Sequence, residues 1–220
     1  MGLAKIMTKE KRLYILEGNI AASKTTTCAA LEATGRVGVI YEPVSYWAEE
    51  YDENILDLFY SEPARWAFMF QLAAFSSRAK TWQEVLALTD HSNVILDRSI
   101  YSDRNIFAES LYEQGLMTLT EFQVYKDVWT FLVDQYCVEP EKIIYIRTSP
   151  ETCLKRIKTR GRKEEEGITL AYLQMLHDKH EAWLAGTNTP YLTKGQPYVI
   201  IVDGESEVDV DSLLDKLGIE

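Results

Sequence analysis

The chain has 220 residues, of which 46% are hydrophobic, so it can bury a substantial core and is neither a disordered tail nor a linker. Its formal net charge of −11 argues against a general affinity for nucleic-acid backbone, and an anionic substrate would need a local basic cluster to hold it. Cys28, Cys137 and Cys153 stand at spacings that fit neither a disulfide framework nor a metal knuckle, and no apolar run reaches the roughly 18 residues of a membrane span.

The apolar run LYIL at 13–16 predicts a short buried strand. It leads into GNIAASKTTT at 18–27: a glycine, four residues, a small residue, then Lys24 and Thr25. This is the outline of a phosphate-cradling P-loop, with Ser23 where the pattern has glycine. Small residues suit such a loop because successive backbone N–H groups must wrap a phosphate closely at a helix N-terminus. A Cβ at position 23 crowds that approach.

Further strands are expected at 37–41, 93–97, 142–147 and 198–203. Helical stretches fall at 64–87, 102–136, 151–159 and 169–185. The alternation implies an α/β fold with a parallel sheet covered by helices on both faces, in one domain spanning 1–220. Sites in such folds lie at the carboxyl ends of the strands. That rim collects Lys24 and Thr25 after the first strand, Glu42 after the second, and Asp97 and Arg98 at the third. Lysine there can pair with outer phosphates, while a threonine hydroxyl and an aspartate can ligate Mg²⁺. Asp97 suits a helix N-cap equally well. His91, His177 and His180 show no ligand spacing, and the N-terminus has neither a signal-peptide core nor a convincing transit peptide, so a cytoplasmic protein with no membrane partner is expected.

In order and spacing, the strings EGNIAASKTT, YEPVSYW, FYSEPARWAFMFQ, LDRSIYSDRNIFAESLYE, YIRTSPETCLKRIKTRGRKEEEGITLAYLQMLHDKHEAWL and VIIVDG resemble the deoxyribonucleoside kinase family, most of all its deoxycytidine and deoxyguanosine kinases. The likeness runs over about 14–203. It implies a P-loop kinase fold with a five-stranded parallel sheet, and transfer of the γ-phosphoryl of ATP or another nucleoside triphosphate, with Mg²⁺, to a deoxynucleoside 5′-hydroxyl. It also implies a homodimer, for which the stretch 122–136 offers one candidate face and a core helix the other reading. A nucleic-acid polymer is not an expected partner.

The resemblance implies these roles. Gly18, Asn19, Ile20, Ala21, Ala22, Ser23, Lys24, Thr25 and Thr26 form the phosphate loop, with Thr25 and Asp97 toward the metal. Glu42 matches the general base, assisted by Arg98. Tyr60 and Glu165 match the pair that grips the sugar 3′-hydroxyl, the middle acid of 164–166 being singled out by alignment alone. Gln71 matches the amide that reads the nucleobase edge, while Trp47, Phe70 and Phe107 match the walls of the base pocket. Arg78 and Asp103 match the pair that favours deoxycytidine and purine deoxynucleosides over thymidine. The basic run Lys155, Arg156, Lys158, Arg160 and Arg162 resembles the LID, about 155–167, that closes over a triphosphate; by itself it also reads as a solvated helix face. Relatives carry glycine where Ser23 stands and commonly glutamate where Asp97 stands. A non-catalytic member of the family, kept as a binding or structural subunit, is therefore the alternative expectation.

Overall fold

The computed structural model describes residues 11–137, 139–186 and 198–220. Five strands, β1 (Arg12–Glu17), β2 (Gly38–Ile40), β3 (Asn93–Asp97), β4 (Lys142–Arg147) and β5 (Tyr198–Asp203), form one sheet in the order β2-β3-β1-β4-β5. Every pairing is parallel, with Leu16 beside Asp97 and Ile144 at the centre. Parallel pairing requires crossovers, and the intervening helices supply them.

Side chains alternate across the strands, and here both faces are apolar. Leu13 and Ile15 of β1, Val94 and Leu96 of β3 and Ile143 and Tyr145 of β4 enter one core; Tyr14, Leu16, Ile95, Ile144 and Ile146 enter a second. A sheet buried on both sides accounts for the near-continuous hydrophobic runs that made the strands readable.

Helices follow in chain order as α1 (Lys24–Ala33), α2 (Val44–Glu49), α3 (Ile55–Ser61), α4 (Pro63–Leu88), α5 (Ile100–Ser102), α6 (Glu109–Glu113), α7 (Leu119–Tyr136), α8 (Pro150–Arg160), α9 (Leu170–His180) and α10 (Val210–Leu217). α4 buries Ala67, Phe70, Gln71, Ala74, Phe75, Arg78, Ala79 and Trp82, a stripe at three- and four-residue spacing. That stripe brings Gln71 and Arg78, two turns apart, onto one inward face.

The single helix expected at 102–136 is corrected. α5 passes through a π-helical turn, Asp103–Ala108, into α6 and stops at Gly115, whose φ of 73° is left-handed. α7 then starts afresh on a capping box, in which Glu121 N–H donates to the Thr118 hydroxyl and Thr118 N–H to the Glu121 carboxylate. The helix expected at 169–185 likewise changes at His180 into a π-helical turn, Glu181–Ala185. α7 turns Phe122, Tyr125, Trp129 and Val133 inward and leaves Val124 and Phe131 exposed, so most of its aromatic stretch is core.

Candidate active site

The site begins where β1 ends. A Cβ on Gly18 would stand 2.8 Å from the Ile146 carbonyl oxygen, so the sheet itself demands glycine there. The loop then curls through two left-handed non-glycine residues, Ala21 (φ 59°) and Ser23 (φ 69°), before α1 starts at Lys24. Ser23 caps α1 without a side-chain hydrogen bond, so its hydroxyl does not offset the backbone conformation it adopts.

Lys24 is buried, and its ammonium donates to the carbonyls of Gly18 (3.1 Å) and Asn19 (2.8 Å). Burial pushes this group down to about 8, helped by repulsion from Arg98 and opposed by Asp97, Glu42 and Glu17. Thr25 Oγ1 donates to Asp97 Oδ2 at 2.6 Å, and Asp97 Oδ1 is buried without a hydrogen-bond partner. Burial raises the Asp97 carboxyl against the pull of Lys24.

Opposite the loop stands Glu42, held by two guanidiniums: Arg78 Nη2 at 3.1 Å and Arg98 Nε at 3.3 Å. Burial acts to raise the Glu42 carboxyl, but Arg78, Arg98 and Lys24 outweigh it and hold it at about 2. Arg98 is itself left-handed at φ 70°, its main-chain N–H donates to Leu16 O at 2.9 Å, and its guanidinium lies over the Phe107 ring. Arg78 also makes a two-point grip on Asp103, from Nε (2.9 Å) and Nη2 (3.1 Å).

The π-helical turn carries both Asp103 and Phe107 into the same cavity. There they meet Trp47, Phe70 and Gln71, whose side-chain oxygen is buried without a partner. Phe59 stacks on Phe70 with centroids 4.8 Å apart, and Trp47 meets Phe70 edge-on at 5.5 Å, so these rings pack together along one side of the cavity. Trp47 is fixed by donation from Nε1 to Ser77 Oγ at 2.8 Å.

Basic residues of α8 and the turn after it border the cavity on the loop's side. α8 is capped by Ser149, has proline at its first position and ends at Gly161 in left-handed geometry. Arg160 donates to both oxygens of Glu165, at 2.7 and 2.6 Å, and Arg162 reaches the same carboxylate at 3.5 Å. Arg156 donates to the Glu205 main-chain oxygen.

One cavity of about 810 Å³ thus gathers Ile20 through Thr26, Glu42, Trp47, Tyr60, Phe70, Gln71, Arg78, Asp97, Arg98, Asp103, Phe107, Arg156, Arg160, Arg162 and Glu165. Two residues expected at the phosphates do not line it. Gly18 packs against β4, and Asn19 is buried with its amide donating to Leu173 O, so both shape the loop from behind. Lys158 is also outside the cavity, because α8 presents Thr152, Lys155, Arg156, Thr159 and Arg160 to it and turns Lys158 to another face. Phe59 and Tyr172 are lining residues that sequence reasoning missed, since each reads as an ordinary core aromatic. Glu17 was missed as well. It is wholly buried at the end of β1, where burial raises its carboxyl to about 7 against the pull of Arg98 and Ser99.

A five-stranded parallel sheet with a lysine-bearing loop and helix after its first strand is the architecture of the P-loop class of nucleotide-binding proteins. A profile of the deoxynucleoside kinase family matches residues 14–216. The chain is 39% identical to a probable deoxycytidine kinase of Fowlpox virus (strain NVSL), over 83% of this chain and 75% of that one. It is 38% identical to the deoxycytidine kinase of Bos taurus, over 96% and 90%, and 36% identical to a mitochondrial deoxyguanosine kinase of Xenopus laevis, over 81% and 75%. The chain belongs to the deoxynucleoside kinase family and is an ATP-dependent deoxynucleoside kinase.

Proposed function

We propose that the protein transfers the γ-phosphoryl group of ATP to the 5′-hydroxyl of deoxycytidine or a purine deoxynucleoside in preference to thymidine. The observation that carries this reading is the buried Arg78–Asp103 pair, which lines one cavity with Gln71, the aromatic rings and Glu42. A desolvated ion pair is costly, and its donors and acceptors suit a base edge that offers both in turn. The names of the deoxycytidine and deoxyguanosine kinases among its relatives point the same way.

In this reading the nucleobase lies between the aromatic rings, with Gln71 on its edge, and Tyr60 and Glu165 receive the sugar 3′-hydroxyl. Glu42 accepts the 5′-hydroxyl proton as that oxygen attacks phosphorus. The loop amides and Lys24 hold the triphosphate, while Arg98 and the LID arginines 156, 160 and 162 balance charge on the transferring group. Thr25 and Asp97 would hold Mg²⁺, which would supply positive charge to offset that of the phosphates. The unpartnered Asp97 Oδ1 and the adjacent Thr25 hydroxyl are hard oxygen donors that fit that ion. Among the described residues, no group of three or more His, Cys, Asp or Glu side chains is placed to hold a metal ion.

A second copy of the chain is the proposed partner, with Val124 and Phe131 as exposed apolar contacts on α7. A cytoplasmic location agrees with the three free cysteines and with the lack, among the described residues, of any helix long and apolar enough to cross a membrane. The deciding experiment is a panel of four deoxynucleosides with ATP and Mg²⁺. Phosphorylation of deoxycytidine or purine deoxynucleosides ahead of thymidine is expected; thymidine as the best substrate would overturn the preference.

A further inference from the structure

Beneath the Arg98–Glu42 pair lies an acid that the proposed reaction does not use. Glu17 is fully buried, and Ser99 Oγ donates to its Oε1 at 2.5 Å. Its Oε2 has no hydrogen-bond partner, nor does Arg98 Nη1, which faces it at 3.9 Å. Two buried polar atoms of opposite sign, each unpartnered and just beyond hydrogen-bonding distance, describe an ion pair that a small turn of the guanidinium would close.

That guanidinium has other holds in the structure. Its Nε pairs with Glu42, its Nη2 donates to Gly18 O at 3.2 Å, and its plane rests on Phe107. Only the hold on Glu42 conflicts with the proposed reaction, because a carboxylate paired with Arg98 is a weaker proton acceptor for a nucleoside hydroxyl. When that hydroxyl takes its place on Glu42, Arg98 needs another acceptor on the side away from the cavity.

We infer that Glu17 is a positioning residue for phosphoryl transfer, receiving the Arg98 guanidinium so that Glu42 is left free to act on the nucleoside. This rests on the reading of Glu42 as the base. Glu17 touches neither substrate in this scheme and acts through Arg98. A purely structural role would make it a tolerated buried acid, replaceable by an isosteric amide without a catalytic signature.

The test compares wild type, Glu17→Gln, Arg98→Ala and the double variant in steady-state kinetics with ATP, Mg²⁺ and the preferred deoxynucleoside. Glu17→Gln is expected to lower kcat roughly tenfold with the nucleoside KM little changed, and to have no further effect once Arg98 is alanine. Glu17→Asp, which keeps the charge, should recover part of the loss and carries the same comparison should the Gln variant fold poorly. An equal loss from Glu17→Gln in both backgrounds, a change confined to KM, or Asp no better than Gln would overturn the inference while leaving the proposed reaction standing. A wild-type protein without turnover would overturn the proposed reaction, and this role with it.

Discussion

Arg78 donates from Nη2 to Glu42 Oε1 at 3.1 Å, so the side chain that grips Asp103 also sets the charge of the acid beside the phosphate loop. In the proposed reaction, base reading and proton acceptance therefore share one guanidinium. The same contact, with that of Arg98, is why Glu42 sits at about 2 despite its burial, and is a carboxylate throughout the neutral range.

Glu42→Gln therefore removes the acceptor while keeping the shape of the side chain. Loss of a positioned base is expected to lower kcat by roughly 10²–10⁴-fold. Deoxynucleoside affinity, measured by equilibrium titration, should hardly move, because the aromatic rings and Gln71 are intact. Turnover at the wild-type rate would remove Glu42 from the base role.

The Arg78–Asp103 grip gives a selectivity prediction. Replacing both residues together by apolar ones leaves no buried charge between them unpaired, and should shift the kcat/KM ratio toward thymidine by at least about tenfold. Removing Arg78 alone strands Asp103 and part of Glu42, and should cost about 3–5 kcal/mol of stability in chemical denaturation. An unaltered nucleoside ranking in the double variant would sink the specificity assignment.

Ser23 stands at φ 69° with no compensating side-chain hydrogen bond. Left-handed geometry costs an L-residue roughly 1–2 kcal/mol, of which the added chain entropy of glycine takes back about half to one. Ser23→Gly should thus leave stability unchanged or raise it by up to about 1.5 kcal/mol, with ATP affinity kept or improved. Ser23→Val should lower both, since a β-branched residue fits that conformation worst. A Gly variant that binds ATP more weakly would mean that the serine hydroxyl itself contacts the triphosphate.

The central strands were legible because both faces of the sheet are buried there, which turns β1, β3 and β4 into near-continuous apolar runs, with Asp97 closing β3 and Glu42 two residues past β2. What escaped was geometry that leaves no periodic trace. The π-helical turn at Asp103–Ala108 looks like continuous helix in sequence, and the stop at Gly115 and restart on the Thr118–Glu121 box were overlooked within one long apolar-periodic stretch. The positions of Trp47, Gln71 and Glu165 came from family resemblance rather than pattern: alone they read as core aromatic, core amide and solvated acid. Phe59 and Glu17 lie within the matching strings but were given no role, and only the packing reveals one.

Lys24 yields a prediction in pH. Its ammonium is buried on two main-chain carbonyls and loses its proton near pH 8, well below the ordinary lysine value. A bound triphosphate brings negative charge to that ammonium and raises its pKa, so binding above pH 8 must take up a proton. ATP affinity should then be nearly flat from pH 7 to 8 and weaken above it, approaching about tenfold per pH unit. Lys24→Met should bind ATP more weakly at pH 7 and lose the steepening above pH 8. Calorimetric titrations in two buffers of different ionisation heat at pH 8.5 would count the protons taken up. No uptake in the wild-type protein would show that Lys24 does not meet the phosphates.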